Sequence, residues 1–235
     1  AIRQRDPATM TAALARGRDA LRGIAFEQYL FDRQWQELRG YARSRGVLLF
    51  GDLPFYPDLD SVEVWWHRRL FRVDEAGRPA AVAGVPPDYF NAEGQLWGNP
   101  LYDWEAMRAE GFRWWLERIH GQLRRFDLLR LDHFRALESY WEVPAGAATA
   151  REGRWQPAPG RELLAALAAE FGAVPLVAED LGSITPAVHA LREAFGLPRM
   201  LVLQFAFDGS PQNPYLPANH VANAVVYTGT HDNDT

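Results

Sequence analysis

The sequence predicts an α/β fold and, within that class, a partial (β/α)8 TIM barrel. Three observations carry this. Strand-like apolar runs alternate with segments of helical periodicity along the 235 residues. The apolar runs are continuous, as in parallel sheets covered on both faces. Four acids, Asp52, Asp132, Glu179 and Asp232, stand at or just past the C-terminal ends of predicted strands. The alternation alone also fits a doubly wound open sheet. The placement of the acids favours a barrel, whose functional groups converge from several strand ends on one mouth.

Two helical patterns come first, at about 8–22 and 25–45, the second closing at Gly46, a residue suited to a helix C-cap. "GVLLFGDLP" (46–54) reads as a buried strand. Residues 55–103 are irregular and rich in Pro, Gly and aromatics, with a hairpin expected around Gly77. So long a connection is expected to be either functional or a small inserted subdomain. A helix over 104–125 carries Trp114, Trp115, Leu116, Ile119 and Leu123 at helical spacing. The strand 127–132 follows, then a polar loop (144–158), a helix (160–172) and the strand 174–180. A helix over 184–195 leads to a strand at 200–207, and a Pro-rich loop leads to the last strand, 223–233. Residues 1–235 are expected to form part of one catalytic domain. Trp65, Trp66, Trp114 and Trp115 are expected in the core, and His67, His120 and His189 in solvated or capping positions.

Hydrophobic content of 48% with 23% charged residues describes an ordinary globular chain. A formal charge of −5 argues against nucleic acid or an anionic membrane as partner. The absence of cysteine excludes disulfides, thiol nucleophiles and cysteine-ligated metals. No apolar run approaches the roughly 20 residues of a membrane helix, and no signal-like segment opens the chain, so a cytoplasmic location is expected. The first residue is not methionine, and the sequence reads as an internal piece of a longer chain.

The stretch "FDLLRLDHFR" (126–135) begins as core and ends in ionisable side chains. Burying a charge costs several kcal/mol unless it is paired, so a purely structural strand would rarely end this way. Three carboxylates without a metal-spaced histidine pair or a phosphate-cradling glycine loop suggest glycosyl transfer. That chemistry needs one ionised nucleophile and one carboxyl that holds a proton near neutral pH. Arg130 lies two residues from Asp132, on the same side of the strand, and favours its ionised form. Asp132 therefore reads as the nucleophile and Glu179 as the acid/base. Trp97, in a Gly- and Asn-punctuated loop, reads as a sugar platform, since a pyranose offers apolar faces and a rim of hydroxyls. His133, directly after Asp132, is a candidate orienting group.

"LRLDHFR", "VAEDLG" and "TGTHDND" resemble the catalytic strand ends of the α-amylase superfamily. With "GDLPFY", "GVPPDYFNAEGQLWGNPLYDW" and "VLQFAF" the sequence is similar, from about residue 24 onward, to the amylomaltase family of 4-α-glucanotransferases, the disproportionating enzymes. The resemblance implies a cofactor-free, retaining double displacement on α-1,4-glucans and maltooligosaccharides, with glucose as an acceptor. It matches Asp132 to the nucleophile, Glu179 to the acid/base and Asp232 to the third acid, which stabilises the distorted sugar. Arg130 and His231 match partners of the nucleophile and bound sugar, and Asp52 matches the acid of the first superfamily strand motif. Phe90, Gln95 and Trp97 match sugar contacts of a loop, 85–100, over the cleft. Transfer in preference to hydrolysis rests on the resemblance alone. An α-amylase-like hydrolase and a non-catalytic glucan-binding barrel are the rival readings.

The chain departs from the family pattern at Pro57-Asp58-Leu59, at Arg199, where glycine is usual, and at Ala218, where histidine is usual. Relative to the family, the chain looks like about strands 3 to 7 of the barrel, and a barrel lacking strands exposes sheet edges. These 235 residues alone are therefore expected to be poorly stable or inactive, within a natural protein about twice as long.

Overall fold

The computed structural model describes residues 2–88, 91–173 and 176–231. Strands are numbered in chain order. The five predicted apolar strands form one parallel sheet of β1 (Phe50–Leu53), β4 (Leu128–Leu131), β7 (Leu176–Ala178), β8 (Arg199–Val202) and β9 (Ala224–Tyr227). Their order across the sheet is β1-β4-β7-β8-β9, the order of the chain with no reversal. Among the described residues this is an α/β fold with a parallel sheet, and an eight-stranded closure is not seen.

The helices are α1 (Pro7–Arg16), α2 (Arg18–Ser44), α3 (Val62–Trp66), α4 (Trp104–Ala109), α5 (Arg113–Leu123), α6 (Gly160–Phe171) and α7 (Pro186–Ala194). Trp115 and Ile119 of α5 and Leu163 and Leu167 of α6 are buried in one cluster with Leu129, Leu131 and Leu176 of the sheet. Each such aliphatic side chain contributes roughly 1.5–3 kcal/mol by leaving water. Trp114 and Trp115 lie in this core, as the helical spacing predicts.

Register sets the positions at the sheet's C-terminal edge. Asp52 pairs with Arg130 across β1 and β4, and Leu131 pairs with Ala178 across β4 and β7. The residues that follow this last pair, Asp132 and Glu179, therefore emerge side by side from neighbouring strands.

Several expectations need correction. The helices expected at 8–22 and 25–45 break at Gly17, the stretch 46–54 read as a buried strand exposes Val47, Leu48 and Phe50, and the last strand ends at Tyr227. The helix over 104–125 is two helices, because Gly111 and Phe112 both take left-handed backbone (φ 59° and 57°) and the turn buries the Phe112 ring. The strand over 200–207 stops at Val202. Leu203–Ala206 coil into a 3-10 turn, and Asn213 Nδ2 donates to the Phe205 carbonyl at 2.7 Å in place of a ladder partner. The polar loop 144–158 contains β6 (Arg154–Pro157), which pairs with β5 (Ser139–Pro144). These two join β2 (Ala81–Val85) and β3 (Gln95–Pro100) in a second, antiparallel sheet of order β3-β2-β5-β6, so that sheet draws on chain after β4 as well as on 55–103. Trp66 is 53% exposed, its ring facing the Arg5 guanidinium. The turn at Gly77 follows the prediction, with φ 77° and Val73 bridged to Pro79. No helix among the described residues is long and apolar enough to cross a membrane.

Candidate active site

The site is built where β4 ends. Asp132 continues the strand direction, its N–H donating to the Leu53 carbonyl at 3.0 Å. His133 then turns left-handed (φ 50°), a conformation that costs a non-glycine residue of order 1–3 kcal/mol. The turn aims the His133 N–H at Glu179, whose Oε2 accepts it at 2.8 Å. Glu179 Oε1 accepts from the Leu181 N–H at 3.0 Å. Both carboxylate oxygens of Glu179 are thus held by backbone.

Arg130 lies almost wholly buried beneath these groups. Its Nη1 is 2.7 Å from Asp132 Oδ1 and 2.8 Å from Asp52 Oδ1, and its Nε lies 3.3 Å from Met200 Sδ. Burial disfavours the guanidinium charge, yet the hydrogen bond to Asp52 and the fields of Asp132, Asp52 and Glu179 outweigh it and hold the group protonated. The two candidate carboxyls experience opposite surroundings. Burial first, and the nearby Asp132 charge second, push Glu179 up to about 7, against Arg130 and the two backbone donors. Asp132 is contacted directly by the cation. The pair therefore sets a carboxylate paired with a buried cation beside a carboxyl that holds its proton near neutrality.

A cleft of about 430 Å3 opens over this pair, lined among others by Gln95, Trp97, Arg130, Asp132, His133 and Glu179. The antiparallel sheet delivers its wall. Gly94 takes φ 68° and brings its Cα so close to the Val85 carbonyl that a Cβ would lie 2.4 Å from that oxygen. β3 starts one residue later, with Gln95 Oε1 accepting from Trp97 Nε1 at 3.0 Å. The Trp97 ring meets the His133 ring edge-on at 4.7 Å. Burial pushes the His133 imidazole down to about 3, with Arg135 adding to the shift, so the ring is neutral. It is the backbone of His133 that touches Glu179; the imidazole packs under Trp97.

Other predicted site residues fall elsewhere. Asp52 and His231 line a separate pocket of about 310 Å3, with Arg130 and Tyr227 on its wall. Asp132, Trp97 and His133 also border a second cleft, of about 460 Å3, with Tyr56, Asp58 and Asn99. Phe90 and Asp232 lie outside the described residues. Sequence reasoning missed Arg135 and Trp155, which line the main cleft. Trp155 stands in a stretch read as loop, and its one signal was an aromatic in an otherwise polar, Gly- and Pro-flanked segment. No group of three or more His, Asp or Glu side chains among the described residues is arranged to hold a metal ion.

Fold and site together define an α/β protein with two carboxyls in unlike surroundings at the ends of adjacent parallel strands. The profile of the 4-alpha-glucanotransferase family, glycoside hydrolase family 77, matches residues 1–235, and the chain belongs to that family. It is 51% identical to the 4-alpha-glucanotransferase of Thermus thermophilus over all of its own length and 47% of that protein's. It is 56% identical to that of Synechocystis over 89% of this chain and 42% of the relative. The structure of amylomaltase from Streptococcus agalactiae in complex with acarbose superposes with a TM-score of 0.96 at 39% identity, covering 99% of this chain and 47% of that one. The chain thus spans about half the length of the relatives it matches.

Proposed function

We propose that the protein carrying this chain is a 4-α-glucanotransferase that moves α-1,4-glucan segments between maltooligosaccharides by a retaining double displacement. The observation that carries the proposal is the divided pair: Asp132 bonded to the buried Arg130 cation, and Glu179 pushed up to about 7 beside it. Asp132 attacks the anomeric carbon of the donor while Glu179 gives its proton to the glycosidic oxygen as the C1–O bond breaks. A glycosyl ester on Asp132 results, and Glu179 is left ionised. The 4-hydroxyl of an acceptor, glucose or a maltooligosaccharide, then attacks C1. Its proton passes to Glu179 and the ester bond to Asp132 breaks, restoring both groups.

The other assignments belong to the same proposal. Asp52, Arg130 and His231 hold the nucleophile and the sugar beside it, Gln95, Trp97 and Phe90 contact sugar, and Asp232 stabilises the charged, distorted ring. The chain-order parallel sheet and the likeness to the Streptococcus agalactiae amylomaltase support a (β/α)8 barrel to which residues 1–235 contribute part. Residues 55–103 supply part of the cover over the cleft. The acarbose complex of that amylomaltase supports an α-glucan as the occupant of the same cleft here. The cytoplasm remains the proposed compartment on the sequence grounds given above; the Arabidopsis relative is, by name, chloroplastic/amyloplastic.

Product analysis of maltotriose tests the reading, using the protein at its full natural length with Asp132→Asn as control. Glucose plus a ladder of longer maltooligosaccharides, abolished in the control, is the expected result. Glucose and maltose with nothing longer would make water the acceptor and the protein a hydrolase. Binding without turnover would leave a glucan-binding barrel.

A further inference from the structure

Trp155 is 40% exposed on β6, the edge strand of the antiparallel sheet, and it lines the same cleft as Glu179. Neighbouring groups fix its ring. The Arg135 guanidinium sits 3.7 Å from the ring centroid, and Trp141, its register partner on β5, meets it edge-on at 5.1 Å. Arg135 is itself immobilised. It is 6% exposed, donates from Nη1 to the Ser183 carbonyl at 2.9 Å, and lies in the short turn that begins two residues after Asp132. Trp141 is tied by Nε1 to the Ala150 carbonyl at 2.8 Å. It fits only because position 153 is glycine, where a Cβ would come within 2.2 Å of that nitrogen. A cation on one face and an indole at the edge hold the ring in place, and its exposed part is a flat, preorganised aromatic surface among the residues that line the cleft. That is the surface a pyranose C–H face binds.

The position of Glu179 decides which sugar this is. A general acid that protonates the leaving oxygen stands on the aglycone side of the bond it helps to break. The cleft with Asp58 and Asn99 is bordered by Asp132 but not by Glu179, whereas the cleft with Trp155 holds both carboxyls. From this geometry we infer that Trp155, backed by Arg135, is an acceptor-side sugar platform that favours attack by sugar over attack by water. The inference rests on the transferase reading above and assigns a specificity-determining residue to its acceptor half-reaction. Once the donor's leaving segment has gone, an acceptor glucose stacked on Trp155 places its 4-hydroxyl near Glu179 at higher effective concentration than free sugar.

The test separates the two half-reactions. With 4'-deoxy-α-maltosyl fluoride as donor, which lacks the 4-hydroxyl that would let it serve as its own acceptor, fluoride release without added acceptor reports formation and hydrolysis of the glycosyl ester. Its stimulation by added maltose reports acceptor binding. Trp155→Ala is expected to raise the KM for maltose about tenfold and to shift products from transfer toward hydrolysis, with a loss of acceptor stimulation that exceeds any loss of acceptor-free fluoride release. Trp155→Phe, which keeps a flat apolar face, should recover most of the acceptor affinity, and Trp155→Leu, which keeps bulk without that face, should not. If Trp155→Ala does not fold, the contrast between Phe and Leu decides alone. An unchanged maltose KM, or a parallel fall in acceptor-free fluoride release, would overturn the inference. Failure of the wild type to respond to acceptor at all would instead overturn the transferase reading.

Discussion

Glu179 and Asp132 are chemically similar side chains made different by their neighbours. Asp132 is met by the Arg130 cation, while Glu179 is pushed up to about 7 by burial and by the adjacent Asp132 charge. A raised carboxyl pKa means the proton is held below that value and lost above it. The first half-reaction proposed above needs the proton, so kcat/KM should fall as pH rises through about 7. Glu179→Gln should abolish that limb and cost at least 100-fold in turnover of natural glucans, much less with fluoride donors that leave without a proton; a pH–rate series on both donors checks this. The Arg130–Asp132 contact was legible in the i, i+2 spacing of a strand. The role of His133 was only half legible, because spacing cannot show that the residue turns left-handed and uses its N–H rather than its ring. Trp155 carried only the weak signal of an aromatic in a polar loop, because its partner Arg135 lies 20 residues earlier, in the turn after β4, and spacing cannot show that the two meet.

At the scale of elements, the pairing of β7 with β8 is the weakest in the parallel sheet. A single register pair, Ala178 with Arg199, joins them, against three or four for the other neighbours. Asp180 extends the pairing with its side chain. Its Oδ1 accepts from the Met200 N–H at 3.0 Å, and its Oδ2 lies 3.4 Å from both Arg192 Nε and Arg199 Nε and 3.8 Å from His189 Nδ1. His189 therefore faces a buried carboxylate, where its helical position suggested solvent. Arg199, which stands where the family pattern usually has glycine, supplies one of the cations. Removing one partner from a buried ion cluster leaves the others uncompensated. Asp180→Ala should thus lose about 3–5 kcal/mol, read from denaturant midpoints, and Arg199→Gly should lose less because Arg192 stays. The inner parallel strands β4, β7 and β8 were readable because strands buried on both faces are largely apolar, whereas β1 alternates buried and exposed residues and β9 is only partly buried. The antiparallel sheet was largely unreadable because β3 and β6 expose most of their residues and carry glycine, proline and polar side chains. Its register comes from contacts distant in sequence, such as Gly84 opposite Leu96 and Trp141 opposite Trp155.

At the scale of the molecule, the two sheets divide the labour. The parallel sheet delivers Arg130, Asp132 and Glu179 in fixed register, and the antiparallel sheet brings Gln95, Trp97 and Trp155 over them. Helix α2 is joined to the sheet mainly at one end, through Trp35 against Phe126 and Arg39 to Asp127. It leaves Leu21, Ile24, Phe26, Tyr29 and Tyr41 exposed. Apolar surface of that extent is uncommon on a self-sufficient monomer, and the chain spans about half the length of its relatives. Parallel winding was legible from alternation and from the acids at strand ends. The number of strands that complete the sheet was not, because periodicity reports only on the segment that carries it.

The central claim is that two carboxyls with different proton affinities carry out a retaining transfer, with Asp132 as the atom-bearing partner. The most direct measurement is intact-mass and peptide mass spectrometry of the full-length Glu179→Gln protein after incubation with α-maltotriosyl fluoride. The fluoride leaves without a general acid, and without Glu179 the ester has no base to discharge it. The account predicts one maltotriosyl unit attached to the peptide containing Asp132, and none in the additional Asp132→Asn variant. An adduct on another residue, or turnover of the fluoride with inversion and no adduct, would contradict it.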